Sequence, residues 1–331
     1  MATVISVARK AGVSSATVSR VLNGRLTVSR EMRERVLAAV EELGFRLNPM
    51  AQGLRKGQTN IVALLVGDIA LPHFSALTKH VHGALEGIGL DLLLYDLGHS
   101  HSRLEAFLER AVAMRLRGVV LAQSDTLSRS VEPLLGRLDQ HGVARVCIGQ
   151  NLTRLGIASI VHDERAAAAR SVSYLIGQGR RRIAYVGHIK GSTVGSERYR
   201  GYRRALEQAG LPVARELVWD VAYRCAAGHK AVLQALDRRI PFDGLQAGSD
   251  ELAIGALAAL RERGRRVPDD VAVAGFGNID VAAYARPALT TLSSHPEVAA
   301  AHLRQLLLDG RGGGPDRAVW IERTLIRRES A

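Results

Sequence analysis

Apolar positions in the first 46 residues recur at helical spacing in three short runs, each preceded by a hydroxyl residue and followed by glycine. Thr3 is placed to cap a helix over Val4–Ala11, with Gly12 as its stop. Ser14 caps a second over Ser15–Leu22, ended by Asn23-Gly24. Ser29 caps a third over Arg30–Leu43, where Met32, Val36, Val40 and Leu43 share one face and Gly44 follows. Asn48-Pro49 then breaks the chain. The basic stretch Met50–Lys56 is helix-competent but too short to be a stable helix alone, and reads as a hinge that needs a partner.

From Ile61 the pattern changes. Apolar runs such as Ile61–Val66, Gly118–Ala122, Ala158–Val161, Ile183–Val186 and Gly244–Ala247 alternate with amphipathic stretches such as Phe74–Ile88, Leu104–Arg115, Ala166–Ile176 and Leu252–Arg261. Such alternation builds parallel sheets covered by helices on both faces. Two successive series imply two α/β lobes. Ligands of open α/β sheets sit beyond the carboxyl ends of the strands, so facing lobes would enclose a cleft. The expected division is a three-helix domain at 1–47, a hinge and linker at 48–60, and a two-lobed domain at 61–331. Within the last, lobe 1 is expected at about 61–157 and 288–315, and lobe 2 at about 158–287 and 316–331.

Composition narrows the partners. The 331 residues suit two or three domains, and 47% apolar content permits a sizeable core. The formal charge of +13 is unevenly spread: residues 1–60 hold ten Lys and Arg against four Glu, a net +6. Arginine outnumbers lysine throughout, but that bias does not explain the concentration at one end. A basic module of this size is the footprint of nucleic-acid binding. The start Met1-Ala2-Thr3-Val4-Ile5-Ser6 lacks the pattern of a signal peptide, and no apolar run is long enough to span a membrane. Two distant cysteines, Cys147 and Cys225, fit a reduced cytoplasm.

The stretch Val7-Ala8-Arg9-Lys10-Ala11-Gly12-Val13-Ser14-Ser15-Ala16-Thr17-Val18-Ser19-Arg20-Val21-Leu22-Asn23-Gly24 carries the functional signal. A tight turn at Ala11-Gly12-Val13-Ser14 joins two helices, and the second presents short polar residues at its start, as a helix-turn-helix requires. This stretch resembles the lactose/galactose-repressor (LacI/GalR) family. The resemblance continues through Val28–Val36 and Glu42–Pro49, and with later motifs covers essentially the whole chain. It implies a helix-turn-helix domain followed by a two-lobed domain like the periplasmic sugar-binding proteins. It implies base reading by Ser15, Ala16 and Arg20, with Arg20 suited to guanine and Ala16 to a thymine methyl. Ser14, Thr17, Ser19 and Asn23 would meet phosphates, and Leu54 would wedge into the minor groove. Gly53 replaces a bulkier residue expected beside it.

For the cleft, the resemblance implies effector contacts from His73 and Phe74 in Asp68–Phe74, and from Arg198 in Ser196–Tyr202. It adds Tyr223, Ser249 and Asp250 in Ser249–Gly255, and Gly277 in Val273–Asn278. Gly277 stands where an aspartate is common, Ser249 where an asparagine is common, and Gly149 near another frequent aspartate. Sugar-acid repressors of the gluconate type depart similarly, so an anionic effector, a sugar acid or sugar phosphate, is expected. The resulting reading is a cytoplasmic, homodimeric repressor of double-stranded operator DNA with a small-molecule effector and no cofactor. A solute-binding protein would have no use for residues 1–57. An enzyme is disfavoured because no phosphate-binding loop or His-Glu-x-x-His site occurs, and Gly275-Phe276-Gly277 is only a lone GxG. His80-Val81-His82 and His99-Ser100-His101 lack a third ligand, so no metal is expected. The end of the chain, Val319–Ala331, reads as a final strand and tail without leucine heptads, favouring a dimer.

Overall fold

The computed structural model describes residues 2–22, 28–45, 57–308 and 318–331. The chain divides into two compact units, Met1–Thr59 and Asn60–Ala331.

The first unit contains α1 (Val4–Ala11), α2 (Ser15–Leu22) and α3 (Arg30–Glu42). Thr3 and Ser6 cap α1 reciprocally: Ser6 N–H donates to Thr3 Oγ1 at 3.2 Å, and Thr3 N–H to Ser6 Oγ at 2.8 Å. Gly12 ends the helix at φ +64°, a left-handed conformation that glycine adopts without strain. Arg35, from α3, donates to Ala11 O and Gly12 O and so occupies the free carbonyls at the end of α1. Val7, Ala8, Ala11, Val18, Val21, Val36 and Ala39 form the small core. Helix α3 ends one residue earlier than the pattern suggested, with Leu43 as its cap. Met32, expected on the buried face, is 43% exposed, because Val36 and Ala39 already fill the contact with α1 and α2. Asn23 and the hinge residues 48–56, Leu54 included, lie outside the described residues.

The second unit is α/β. Strands β1 (Ile61–Val66), β2 (Asp91–Asp96), β3 (Gly118–Ala122), β4 (Ala144–Ile148), β5 (Ala158–His162) and β11 (Ala318–Ile321) form a parallel sheet of order β11-β5-β4-β3-β1-β2. Strand pleating divides its side chains by parity. Val62, Leu64 and Val66 meet α4 (Pro72–Glu86) and α11 (Pro296–Leu308), while Ala63 and Leu65 meet α5 (His101–Ala111) and α6 (Val131–Gln140). A second parallel sheet has order β7-β6-β8-β9, from β6 (Ile183–Gly187), β7 (Val218–Asp220), β8 (Gly244–Ala247) and β9 (Ala272–Ala274). Helices α7 (Glu164–Gly177) and α8 (Thr193–Gln208) cover one face, α9 (Cys225–Asp237) and α10 (Asp250–Glu262) the other. A short antiparallel pair joins β10 (Thr291–Leu292) to β12 (Leu325–Ile326).

The lobe boundaries differ from those expected. Strands β5 and β11, assigned to lobe 2 from the sequence, belong to the first sheet: β5 pairs with β4, and β11 pairs with β5. Alternating strands and helices show how many sheets a chain can build but not where it changes sheet, because edge strands look alike in either. The chain therefore crosses between lobes after β5, between β10 and α11, and between β11 and β12.

Helices α7 and α8 pack so closely that a Cβ built on Gly201 would lie 2.2 Å from Arg165 O and 2.8 Å from Ala168 Cβ. Gly201→Ala is expected to push the helices apart and cost about 1–3 kcal/mol. Thermal unfolding of the full chain would show it, and an unchanged transition would mean that the pair has slack.

Candidate functional site

On α2 the polar positions are where a groove-reading helix needs them. Ser14, Ser15, Ala16 and Arg20 are exposed, Thr17 and Ser19 are half-buried, and Val18 and Val21 face the core. Ser14 Oγ accepts from Thr17 N–H at 3.1 Å, so the cap also fixes the first turn.

In the second unit a cleft lies between the carboxyl ends of the two sheets. Its walls include Leu71, His73, Phe74, Gln123, Gly149, His162, Glu164, Arg198, Tyr223, Ser249, Glu251, Phe276, Gly277 and Arg323. Six of the seven positions expected from the sequence therefore converge there. Asp250 is the exception, and the correction has a clear cause. Its carboxylate is wholly buried behind the cleft wall, accepting from Thr291 Oγ1 at 2.5 Å and Ile279 N–H at 2.8 Å. A Cβ on Gly275 would lie 2.2 Å from Asp250 Oδ1, so glycine there is what admits the carboxylate. Asp250 braces the loop after β9, and its neighbour Glu251 reaches the cleft instead. Ser249 both lines the cleft and caps α10, accepting from Leu252 N–H at 3.3 Å.

The centre of the site is a buried carboxylate between two guanidinium groups. Glu164 opens α7, immediately after β5. Arg198, from α8, donates to it from Nε at 3.0 Å and Nη2 at 3.3 Å, and from Nη1 to Gly248 O at 2.7 Å. Arg323, between β11 and β12, donates to the same carboxylate from Nε at 3.0 Å and Nη2 at 2.6 Å. Both guanidiniums lie over the Phe276 ring, at 4.0 and 4.7 Å from its centre. Burial opposes ionisation of Glu164, yet the two arginines hold it far below the usual carboxylate range. His162 Nε2 meets Ser294 O at 2.9 Å, so the neutral ring carries its proton there and Nδ1 is an acceptor. Four residues thus stitch the three crossovers: His162 and Glu164 on the first, Ser294 on the second and Arg323 on the third.

Towards the β1 end of the first sheet the lobes touch again. Thr126 N–H donates to Gly191 O at 2.9 Å and Thr193 N–H to Ser124 O at 3.0 Å, and Arg224 pairs with Asp68. Tyr223 and His188 meet edge to face at 5.8 Å. Among the described residues no group of three His, Cys, Asp or Glu side chains is placed to hold a metal ion, and no helix is long and apolar enough to cross a membrane.

Sequence reasoning missed Gln123, His162, Glu164, Phe276 and Arg323. Gln123 and His162 carried a signal, being polar residues directly after apolar runs, and Glu164 follows His162 by two positions. Arg323 carried none, standing in the charged tail Glu322-Arg323-Thr324.

A helix-turn-helix unit in one chain with a two-lobed unit enclosing a polar cleft defines a ligand-sensing DNA-binding protein. Residues 3–48 match the family described as bacterial regulatory proteins, lacI family, and residues 172–331 match the periplasmic binding protein-like domain. The regulator AscG of Escherichia coli (strain K12) is 33% identical over 335 residues, covering 100% of this chain and 98% of that protein. CelR of Thermobifida fusca is 34% identical, covering 98% and 96%. Among solved structures, a transcriptional regulator CelR–cellobiose complex matches with TM-score 0.73 at 32% identity, covering both chains fully (100% and 100%). The lac repressor dimer bound to operator and the anti-inducer ONPF matches in fold with TM-score 0.89 at 22% identity, covering 99% and 98%. The chain belongs to the lacI family and is a DNA-binding transcription regulator.

Two outcomes follow from the buried cluster. Glu164→Gln leaves two buried guanidiniums without a counter-charge and should cost about 3–5 kcal/mol in urea unfolding; a change below about 1 kcal/mol would mean that water already screens the cluster. The second concerns acid. Burial, with Arg323 beside it, lowers His162 to about 4, and burial with Arg323 and Arg198 lowers His73 to about 3. Unfolded, each titrates near 6.5, so below that pH the unfolded chain binds more protons. Their contribution is full above pH 6.5 and is lost as pH falls towards the folded values. Asp250, raised to about 6 by burial, acts oppositely: its contribution is present below 3.8 and lost as pH rises through about 6. His162→Gln should therefore flatten the acid limb of stability by about 1.4 kcal/mol per pH unit between about pH 6 and pH 4. Urea midpoints across that window measure it, and parallel curves for the two proteins would show that His162 protonates freely when folded.

Proposed function

We propose that this regulator is a repressor acting in the cytoplasm as a homodimer on a pseudo-palindromic operator, with operator affinity set by a small carbohydrate-type effector in the cleft. The observation that carries the effector reading is the cleft itself. It lies at the carboxyl ends of both sheets, and its walls hold buried polar atoms, Gln123 Nε2, His162 Nδ1 and Arg323 Nη1, that have no partner in the protein. Buried polar groups are nearly always satisfied, so atoms of this kind call for a ligand rich in hydroxyl or other oxygen groups. Tyr223, Phe74 and Phe276 supply flat apolar faces to the same space. The similar CelR structure is a complex with cellobiose, a carbohydrate.

On DNA, Ser15, Ala16 and Arg20 are assigned to base edges, Ser14, Thr17, Ser19 and Asn23 to the phosphate backbone, and Leu54 to the minor groove. His73, Phe74, Arg198, Tyr223, Ser249 and Gly277 are assigned to the effector cleft. Dimerisation supplies two recognition helices to matching half-sites. Exposed Val281 and Tyr284, 52% and 72% accessible, offer apolar surface that a second copy can cover.

Arg20→Ala is expected to weaken operator binding by about 1–3 kcal/mol and to relax preference at one base pair of each half-site. Binding to operator libraries at fixed salt would read this out. A uniform loss across all sequences would reassign Arg20 to the phosphates.

A further inference from the structure

Of the two arginines in the cleft, Arg198 is the one the sequence motif points to, yet each of its nitrogens already has an acceptor. Nε and Nη2 donate to Glu164, and Nη1 donates to Gly248 O. Arg323 differs. It is 4% exposed, its Nε and Nη2 are held by Glu164, and its Nη1 is buried at the cleft wall with no partner. A guanidinium with one edge clamped and the other nitrogen unpartnered is a rigid donor that leaves a buried cationic N–H unsatisfied.

The charges around it decide what fits. Arg198 and Arg323 share one directly bonded carboxylate, Glu164, and the adjacent His73 and His162 rings are neutral, so the hydrogen-bonded cluster itself carries one surplus positive charge, which Asp250 behind the wall offsets only at a distance. Asp250 is turned away and engaged by Thr291 and Ile279. Glu251 lines the cleft from the first turn of α10, and provides an acceptor for hydroxyl groups. His162 Nδ1 is a second open acceptor. The cleft wall thus offers an unpartnered cationic donor at Arg323 and acceptors at His162 and Glu251.

We infer that Arg323 is an effector-binding residue and that the effector presents to its Nη1 the anionic oxygen of a carboxylate or phosphate group on a hydroxylated carbon skeleton. This rests on the reading of the cleft as a carbohydrate-effector site. A neutral hydroxyl oxygen accepts the same N–H but leaves the surplus charge uncompensated, whereas an anion forms the stronger charge-assisted bond. The contact also falls on the third crossover, between β11 and β12, so the ligand binds directly to a segment linking the lobes.

The test is calorimetry on the full-length protein with gluconate, glucuronate, glucose 6-phosphate, glucose and cellobiose, together with a wider panel of neutral hexoses. At least one anionic probe should bind about tenfold or more tightly than its neutral parent. Arg323→Met should abolish that preference. Since Arg323→Met also unpairs Glu164, Arg323→Lys is the second variant: it keeps the ion pair and the thermal transition, but loses the fork nitrogen and most of the preference. The acid and phosphate arms separate the two sources of the anion. Tight neutral-sugar binding indifferent to Arg323 would overturn this inference and leave the carbohydrate reading standing. Silence of the whole panel would overturn both.

Discussion

The carboxylate of Glu164 is the point on which the sensing unit depends. It is nearly inaccessible, and it accepts four hydrogen bonds from two guanidiniums reaching it from different parts of the chain. A buried ion pair of this kind contributes little net stability compared with apolar packing, because desolvation offsets most of the attraction. Its effect is on geometry. With one partner missing the other charges are stranded, so the arrangement is held as a unit or not at all. Phe276 completes it by offering its ring face to both cations, a weaker attraction than a second bonded carboxylate would give.

The position of this cluster matters as much as its chemistry. A two-lobed protein changes its closure angle by small backbone changes in the few segments that cross between lobes. Here Glu164, Arg323 and the His162–Ser294 hydrogen bond sit on those segments, and Arg198 ties them to α8 of the second lobe. The second set of contacts between the lobes is the half-buried Asp68–Arg224 pair and a short antiparallel bridge around Asp125 and Ser192, held by hydrogen bonds and by no shared charge cluster. Arg224 is about half exposed, so solvent screens that pair from one side and weakens it relative to the Glu164 cluster. The strong joint is therefore at the crossovers and the weak one opposite, the arrangement expected of a clamp that opens about a fixed hinge.

Much of this was legible in the residues alone. The three N-terminal helices, their caps at Thr3, Ser14 and Ser29, and the exposed face of α2 follow from local chemistry, since capping and amphipathic spacing act within a few residues. The alternation of strands and helices gave the sheets for the same reason. What was not legible depends on contacts distant in sequence. Assigning β5 to its sheet requires knowing that it lies beside β4. Arg323 meets Glu164 across 159 positions, and no spacing rule reaches that far. Asp250 was misplaced for a subtler reason. Adjacent positions at a helix start point about 100° apart, and which of Asp250 and Glu251 faces the cleft depends on the room that Gly275 leaves.

The DNA-reading unit places its own constraint on how sensing can act. Among the described residues its fully buried core is seven side chains, all valine or alanine, with Leu22, Leu43 and Phe45 partly buried around them, and small domains of this kind have slender stability margins. Its recognition face is equally modest: two serines and an alanine precede the one long side chain, Arg20. A single copy that presents so few long polar side chains has limited affinity. Tight, selective binding then comes from two copies held at the spacing of two half-sites, where the second contact gains from effective concentration only if the geometry fits. An effector need not touch the recognition helices to control them. It has only to bind one closure state of the sensing unit better than another, and its leverage cannot exceed that difference in affinity.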